Sequence, residues 1–286
     1  MSSQEKKPIL VKSLLMIFPL GIIIGIVVAM YLYFYWERQD DEAQELYQNV
    51  EMTQESFADR VNKLHSMVGE RKLTGEQTQK GMRSASAMVQ GELGPNNVGY
   101  VIHEDDGFTQ GGLIWKGTWV NVEGRVDKKQ VVVVAASLQG DGKLGDSSVV
   151  ASLVALARQL SGQMPEHTIR IGFAACADDQ LADWVRKDII ANDEKLIGIV
   201  QLTTMAQMPE DISKWSASSA NERDQQWADF LINNGQRPDV AGEAPVVTLS
   251  HAVFVENGWG AHEPARYHDC LLVMKQLKAM LLKAAR

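Results

Sequence analysis

The chain contains the run Val131-Val132-Val133-Val134-Ala135-Ala136-Ser137, which is apolar over most of its length and predicts a buried β-strand. A Gly/Asp-rich loop, 140–146, follows it, and then apolar residues recur at helical spacing over 150–160. A second apolar run, 168–175, predicts another buried strand. Two buried strands joined by a helix predict a βαβ unit. We therefore expect an α/β fold, with a mixed, mostly parallel sheet flanked by helices.

Polar side chains come at the ends of the two predicted strands. Ser137 and Gln139 follow the first strand, Asp146 ends the loop, and Asp178 and Asp179 follow the second strand. Ligands of open α/β sheets bind at the carboxyl ends of the strands. These residues are therefore the first candidates for a functional site.

The same stretch resembles the M28 family of zinc aminopeptidases. The similarity is carried by VASLVALAR at 150–158 and HTIRIGF at 167–173. It extends upstream to VNKLHSMVGER at 61–71 and downstream to SHAVFVENG at 250–258. The resemblance implies the fold of a zinc aminopeptidase, but one fold hosts many functions.

The resemblance also implies where a metal site would lie. The family holds two zinc ions with His and carboxylate ligands and uses a Glu as general base. The corresponding positions here are Ser137, Gln139, Asp146, Ala177, Asp178, Thr203 and His262. The metal His falls on Ser137, and the catalytic Glu falls on Ala177, which has no group to transfer a proton. We therefore expect that these positions bind no zinc and supply no catalytic residue.

The carboxylates that remain also have structural interpretations. Asp146 precedes a helix and is predicted to be its N-cap. Asp178 and Asp179 precede another helical stretch, where they would complement the helix dipole. Ser250 and His251 fall in the downstream part of the resemblance and are possible cleft residues.

One alternative keeps an enzymatic function. A rebuilt hydrolase site with one metal ion would use Asp146, His262 and either Asp178 or Asp179, with zinc as its cofactor. Only under this alternative do we expect a metal.

The N-terminal region predicts a membrane anchor. An apolar run begins at Leu14 and ends at Trp36, which is long enough to cross a bilayer as a helix. Lysines precede this run and carboxylates follow it, so residues 1–13 are expected in the cytoplasm and the main domain outside, in the periplasm or extracellular space. A cleavable signal peptide is the alternative, but the run is too long for one.

The next segment, 37–58, is predicted to be a helical stalk before one M28-like domain, 59–286. Apolar residues recur at three- and four-residue steps at Leu46, Val50, Phe57, Val61, Leu64 and Val68. Either the second half of this stripe packs on the domain, or the stripe forms a short coiled coil. Gly21 and Gly25 would also allow close packing of two anchors, so a homodimer through anchor or stalk is possible.

Charge, cysteine content and the remaining patterns bear on the kind of partner, on a disulfide and on two further elements of secondary structure. The formal net charge of −8 argues against a nucleic-acid partner. Cys176 and Cys270 leave a disulfide open, although Cys176, directly after a strand, is better explained as a small buried side chain. Residues 113–122 alternate and predict an exposed antiparallel strand, and 270–285 predict a closing helix.

Three functional hypotheses follow. The first is a membrane-anchored pseudopeptidase that binds or scaffolds a peptide or protein partner. The second is the rebuilt metal-dependent hydrolase. The third is a structural subunit of a larger membrane assembly.

Overall fold

The computed structural model describes residues 22, 24–35, 52–205, 214–233, 235, 237–238, 243–254 and 264–286. The chain divides into two units, Met1–Leu46 and Tyr47–Arg286. In the first unit, residues 24–35 form a helix whose side chains are exposed. None of the helices in the described ranges is both long and apolar enough to span a bilayer. Much of the predicted anchor and stalk lies outside the described residues.

The second unit is built on a mixed sheet. In the described residues it has seven strands in the order β1-β4-β6-β5-β7-β9-β8. The strands are β1 His103–Glu104, β4 Thr118–Val122, β5 Asp127–Ser137, β6 His167–Ala174, β7 Lys195–Leu202, β8 Trp215–Ser218 and β9 Val246–His251. A separate two-stranded sheet pairs β2 Phe108–Gln110 with β3 Leu113–Trp115.

Helices cover both faces of this sheet. They are α1 Gln54–Asn62, α2 Glu76–Leu93, α3 Leu144–Leu160, α4 Leu181–Ala191, α5 Glu222–Asn233 and α6 Pro264–Ala284. The larger hydrophobic core joins one face to α1, α2, α3, α5 and α6. A smaller core packs α4 on the other face. This arrangement confirms the expected class of a mostly parallel sheet flanked by helices.

The predicted βαβ unit is present at the centre of the sheet. β5 pairs in parallel with β6, so that Val132 lies opposite Ile169, and also in parallel with β7. Their connection, α3, is buried along nearly its whole length because it lies beneath α1 and α6. Continuous apolar runs are typical of strands buried on both faces, which is why the sequence indicated them so clearly.

The predicted exposed strand at 113–122 is wrong in two respects. Residues Leu113–Trp115 belong to the small sheet, whereas β4 lies between β1 and β6 and is largely buried. β4 is buried on the α4 side because Trp119 stacks on Trp184 of α4, with ring centroids 3.8 Å apart.

The apolar stripe after the predicted anchor packs on the domain in its described half. Phe57, Val61 and Leu64 are fully buried, and Val68 packs against the same core. Leu64 and Val68 lie in a π-helical turn, Lys63–Val68, that continues α1. The interpretation that the second half of the stripe packs on the domain is confirmed, as is the closing helix, α6.

Candidate functional site

The parallel strands β5, β6 and β7 end at the same edge of the sheet, which we call the carboxyl edge. Ser137 ends β5, and its hydroxyl donates a hydrogen bond to the Cys176 carbonyl after β6, over 2.6 Å. The same hydroxyl oxygen accepts the N–H of Gln139 at 2.9 Å. Ser137, where the M28 resemblance predicts a metal His, therefore joins two strand ends.

A second pair of bonds joins the ends of β6 and β7. The Thr203 hydroxyl donates to the Asp178 carboxylate over 2.7 Å. The Gln201 side-chain amide donates to the main-chain carbonyl of Asp178, also over 2.7 Å. Asp178 and Thr203, both predicted site positions, are thus brought together and bond to each other.

Asp178 and Asp179 precede α4, as expected from the helix dipole, but neither provides a side-chain cap. They lie in a short 3-10 turn, Asp178–Gln180, and neither that turn nor α4 begins with a side-chain cap. The Asp178 carboxylate accepts the Thr203 hydroxyl instead, while Asp179 is exposed. The physical reason is that the turn ends beside β7, so a hydroxyl is within reach of the carboxylate.

The pKa of Asp178 is raised from its ordinary value. Partial desolvation of the carboxyl group is the main cause, the Thr203 hydrogen bond lowers the pKa, and nearby Asp179 raises it. The residue as a whole is exposed, so this desolvation is only partial. A carboxyl group with this environment holds its proton more readily than one in water.

Asp146 also has a different role from the predicted N-cap. Lys143 occupies the N-cap position of α3, and Asp146 lies in the first turn. Its carboxylate accepts the N–H of Asp141 at 2.8 Å and faces the guanidinium of Arg71. The helix thus begins earlier than expected, at Leu144.

Sequence reasoning did not assign any role to Arg71, which is 0% exposed. Its side chain donates to the carbonyls of Leu138, at 2.8 Å, and Gly69, at 3.1 Å. Its main chain pairs with Gly140 through bonds of 2.8 and 3.0 Å. Burial lowers the pKa of Arg71, and the charge of Asp146 opposes that shift. Its sequence signal was its place as the last residue of the stretch 61–71, the upstream part of the M28 resemblance.

The two downstream candidates lie on β9. His251 is buried, packs edge-on against Trp215 at 5.3 Å between ring centroids, and accepts the N–H of Val253 at 3.3 Å. Ser250 is half-buried and pairs with Ser216 of β8. His251 is therefore part of the packing at the β8 side of the sheet.

The donors at the carboxyl edge do not fit a dinuclear zinc centre. Such a centre needs imidazoles and several carboxylates, whereas Ser137 and Thr203 offer hydroxyls, Gln139 an amide and Asp178 one carboxylate. Across the described ranges, no three His, Cys, Asp or Glu side chains are grouped so that they could hold a metal ion. His262 lies outside these ranges.

Both cysteines are buried and free. Burial, with a smaller contribution from Asp178, raises the pKa of Cys176 to about 12, and burial also raises the pKa of Cys270. The interpretation of Cys176 as a small buried side chain is confirmed.

Comparison with known proteins identifies the fold. No family model and no curated protein matches the sequence. Among solved structures, the LapA aminopeptidase of Legionella pneumophila is 11% identical with a TM-score of 0.53, covering 87% of this chain and 73% of that one. LapB of the same organism is 9% identical with a TM-score of 0.54, covering 85% and 75% of the two chains.

A third similar structure carries a different activity in its name. The glutaminyl cyclase of Fimbriiglobus ruber is 11% identical with a TM-score of 0.51, covering 82% of this chain and 95% of that one. The second unit therefore has the fold of M28-type zinc aminopeptidases. At these identities the likeness establishes the fold alone.

Proposed function

We propose that this chain is a membrane-anchored, M28-peptidase-like domain that has lost zinc-dependent catalysis and binds or scaffolds a protein or peptide partner. The observation that carries the proposal is the bonding at the carboxyl edge. Ser137, Asp178 and Thr203, which stand at metal-site positions, use their polar atoms to join strand ends. They act as structural cross-links where the family has ligands.

The chemistry of these side chains supports the same conclusion. Zinc prefers imidazole nitrogen, thiolate and carboxylate, and a neutral hydroxyl that already donates to a carbonyl is a poor ligand. Ala177 offers no proton-transfer group at the position of the general base. No catalytic step is therefore assigned to these residues, and the domain is proposed to need no cofactor.

The proposed partner is a peptide or a protein. The fold is shared by LapA, named an aminopeptidase, and by a glutaminyl cyclase, so the fold leaves the reaction open. The carboxyl edge, where hydrogen bonds join the strand ends, is the proposed place where a chain is held without being cleaved. The net charge of −8 is consistent with a partner other than nucleic acid.

The proposed location is a membrane, with the N-terminus in the cytoplasm and the domain outside. In the first unit, the helix at 24–35 exposes apolar side chains in every direction, among them Ile26, Leu32 and Phe34. A helix that is apolar all round is typical of a lipid environment. A homodimer through the anchor or stalk remains part of the proposal.

Zinc content tests the loss of the metal centre. The full-length chain, purified in detergent without chelators, is analysed for zinc per mole of protein. The proposal expects far less than one zinc per chain and no aminopeptidase turnover on a panel of substrates. Close to two tightly bound zinc ions per chain would overturn it.

If metal is found, a matched pair of variants tests the alternative, a rebuilt metal-dependent hydrolase site. Asp178→Ala removes the carboxylate at the carboxyl edge, whereas Asp183→Ala removes an exposed acid on α4. Chelator-sensitive turnover that Asp178→Ala abolishes and Asp183→Ala preserves would establish the rebuilt hydrolase site.

A further inference from the structure

A groove lies beside the last strand of the sheet, and we call it the edge groove. It is a cavity of about 580 Å³ lined by residues of β8, α5 and α6. In the described residues, β8 pairs with β9 on one side and is the outermost strand on the other. The volume lies within the range of about 300 to 1,000 Å³ that is usual for binding sites. The edge groove therefore has the size of a binding site and borders a sheet edge.

The strand wall of the edge groove is made by alternate residues of β8. Trp215 and Ala217 both line it, because side chains two residues apart on a strand point to the same face. Trp215 is buried, and its indole N–H donates to the side-chain oxygen of Gln276 on α6 over 3.2 Å. Ala217 is exposed, and its small side chain leaves space beside the strand. This wall thus combines a fixed aromatic ring with room for a side chain of a partner.

One face of α5 makes another wall. The residues of α5 that line the groove recur at three- and four-residue steps, and they are Gln225, Ala228, Asp229, Ile232 and Asn233. Ala228 is buried, while Ile232 and Met280 of α6 are half-buried and complete the apolar part of the lining. The remaining α5 residues of this face are polar. The edge groove can therefore hold a partner that is apolar at some positions and polar at others.

Two amides orient the carboxylate of Asp229. Its Oδ1 atom accepts from the side-chain amide of Gln225 over 3.3 Å and from that of Asn233 over 3.5 Å. These residues lie one helical turn before and one after Asp229, which is exposed. In the described part of the chain, its Oδ2 atom accepts no hydrogen bond and forms no ion pair. Lys214 also lines the groove and has an interaction of its own. Asp229 thus presents an oriented negative charge to the groove.

We infer that the edge groove binds an extended peptide segment that adds as a strand beside β8 and places a Lys or Arg side chain near Asp229. An edge strand carries main-chain N–H and C=O groups without a strand partner on its outer side. A peptide pairs with such groups while its alternate side chains enter a neighbouring groove. Charge complementarity selects the basic side chain, because Asp229 is negative and the whole chain has a formal net charge of −8.

This inference rests on the proposed binding function and names a surface and a partner chemistry for it. The edge groove shares none of its lining residues with the carboxyl edge. Binding at the groove therefore does not depend on whether the carboxyl edge holds a metal ion.

A library of random dodecapeptides displayed on phage supplies the probe. The full-length chain in detergent is the bait, and enriched peptides are synthesised for measurement of their dissociation constants. The inference expects peptides that have a Lys or Arg among apolar residues at alternate positions. A library without enriched peptides, or enrichment of peptides that lack a basic residue, would overturn it.

N-methylation of an enriched peptide tests the strand pairing and leaves the protein unchanged. A strand at an edge directs the N–H groups of every second residue toward its one neighbour, while the others point away. Methylation of one alternate set of N–H groups should weaken binding roughly tenfold or more, since several hydrogen bonds are lost. Methylation of the other set should change it by less than about threefold. Equal effects of the two sets would overturn the inference.

Two pairs of variants test the place of binding. Asp229→Asn should weaken binding of a Lys peptide roughly fivefold, the modest effect of an ion pair that water can reach. Glu222→Gln, at an exposed acid at the start of α5, should leave it unchanged. Ala217→Phe fills the edge groove and should abolish binding, whereas Ala220→Phe, at an exposed alanine after β8, should not.

The outcomes separate this inference from the proposed function. A peptide that binds Asp229→Asn and Ala217→Phe as tightly as the unmodified chain would overturn the edge groove as the site. The proposed binding function would then stand, with its partner at another surface. Stoichiometric zinc, in contrast, would remove the proposed loss of the metal centre without changing the affinity of the edge groove.

Discussion

The Thr203 hydroxyl and the Asp178 carboxylate form a 2.7 Å hydrogen bond that joins the residue after β7 to the turn after β6. In the M28 resemblance both positions belong to a metal site. Here the two side chains bond to each other. Substitutions at these residues are therefore expected to change the stability of the folded domain, which unfolding experiments measure.

The first prediction concerns Asp178 and pH. Its pKa is raised in the folded state, so the unfolded chain, with an ordinary value of about 3.9, ionises first as the pH rises. Ionisation of Asp178 then costs stability from about pH 3 until the pH passes the folded pKa. Asp178→Asn should lose less stability than the unmodified chain over this interval, measured by urea unfolding at several pH values. Asp106→Asn, at an exposed acid, is the control, and a greater loss in Asp178→Asn would contradict the assignment.

The second prediction concerns Ser137. Removing its hydroxyl in Ser137→Ala leaves the Cys176 carbonyl and the Gln139 N–H without their partner. We expect the free energy of unfolding to fall by about 1 to 2 kcal/mol, the usual effect of losing buried hydrogen bonds. Urea unfolding at neutral pH measures this change.

A matched serine serves as the control for that measurement. Ser250→Ala changes a half-buried strand residue whose hydroxyl has no bond to another described residue. It should shift stability by less than about 0.5 kcal/mol. Equal losses in the two variants would show that Ser137 is not a specific cross-link.

The parallel core could be predicted because its signal is local. The strands β5 and β6 are runs of consecutive apolar residues, and α3 between them has apolar residues at helical spacing. Each element can therefore be recognised from a short stretch of sequence. A strand that is buried on both faces is apolar at successive positions and does not alternate between apolar and polar residues. The order and direction of these strands then follow from the βαβ connection.

The roles of the polar residues could not be predicted in the same way. Asp146 was expected to cap a helix, but its environment depends on Arg71, which is distant in sequence and reaches it only in the folded chain. Likewise, β4 was expected to be exposed, and its burial depends on Trp184 of a later helix. Such contacts leave no periodic pattern, so sequence spacing alone does not reveal them.

The third prediction concerns Arg71. Arg71→Met keeps much of the side-chain volume. It removes the donor from the buried carbonyl of Leu138 and the partly buried carbonyl of Gly69, and it removes the positive charge near Asp146. We expect a loss of about 3 kcal/mol in the free energy of unfolding. Arg83→Met, on the exposed side of α2, should change stability by less than about 0.5 kcal/mol. A small effect at Arg71 would mean that the loop after β5 is held by other contacts.

The fourth prediction compares two glycines with opposite surroundings. A Cβ atom at Gly172 of β6 would lie 2.3 Å from the Trp119 ring, whereas one at Gly91 of α2 would meet no atom within 4 Å. Gly172→Ala should therefore push Trp119 from its stack on Trp184, lowering stability by about 2 to 3 kcal/mol and weakening the near-ultraviolet circular dichroism of the pair. Gly91→Ala should raise stability by about 0.5 to 1 kcal/mol, because alanine is the better helix former. Thermal unfolding of both variants gives the comparison, and a stable Gly172→Ala chain with unchanged circular dichroism would show that the two indoles do not pack as described.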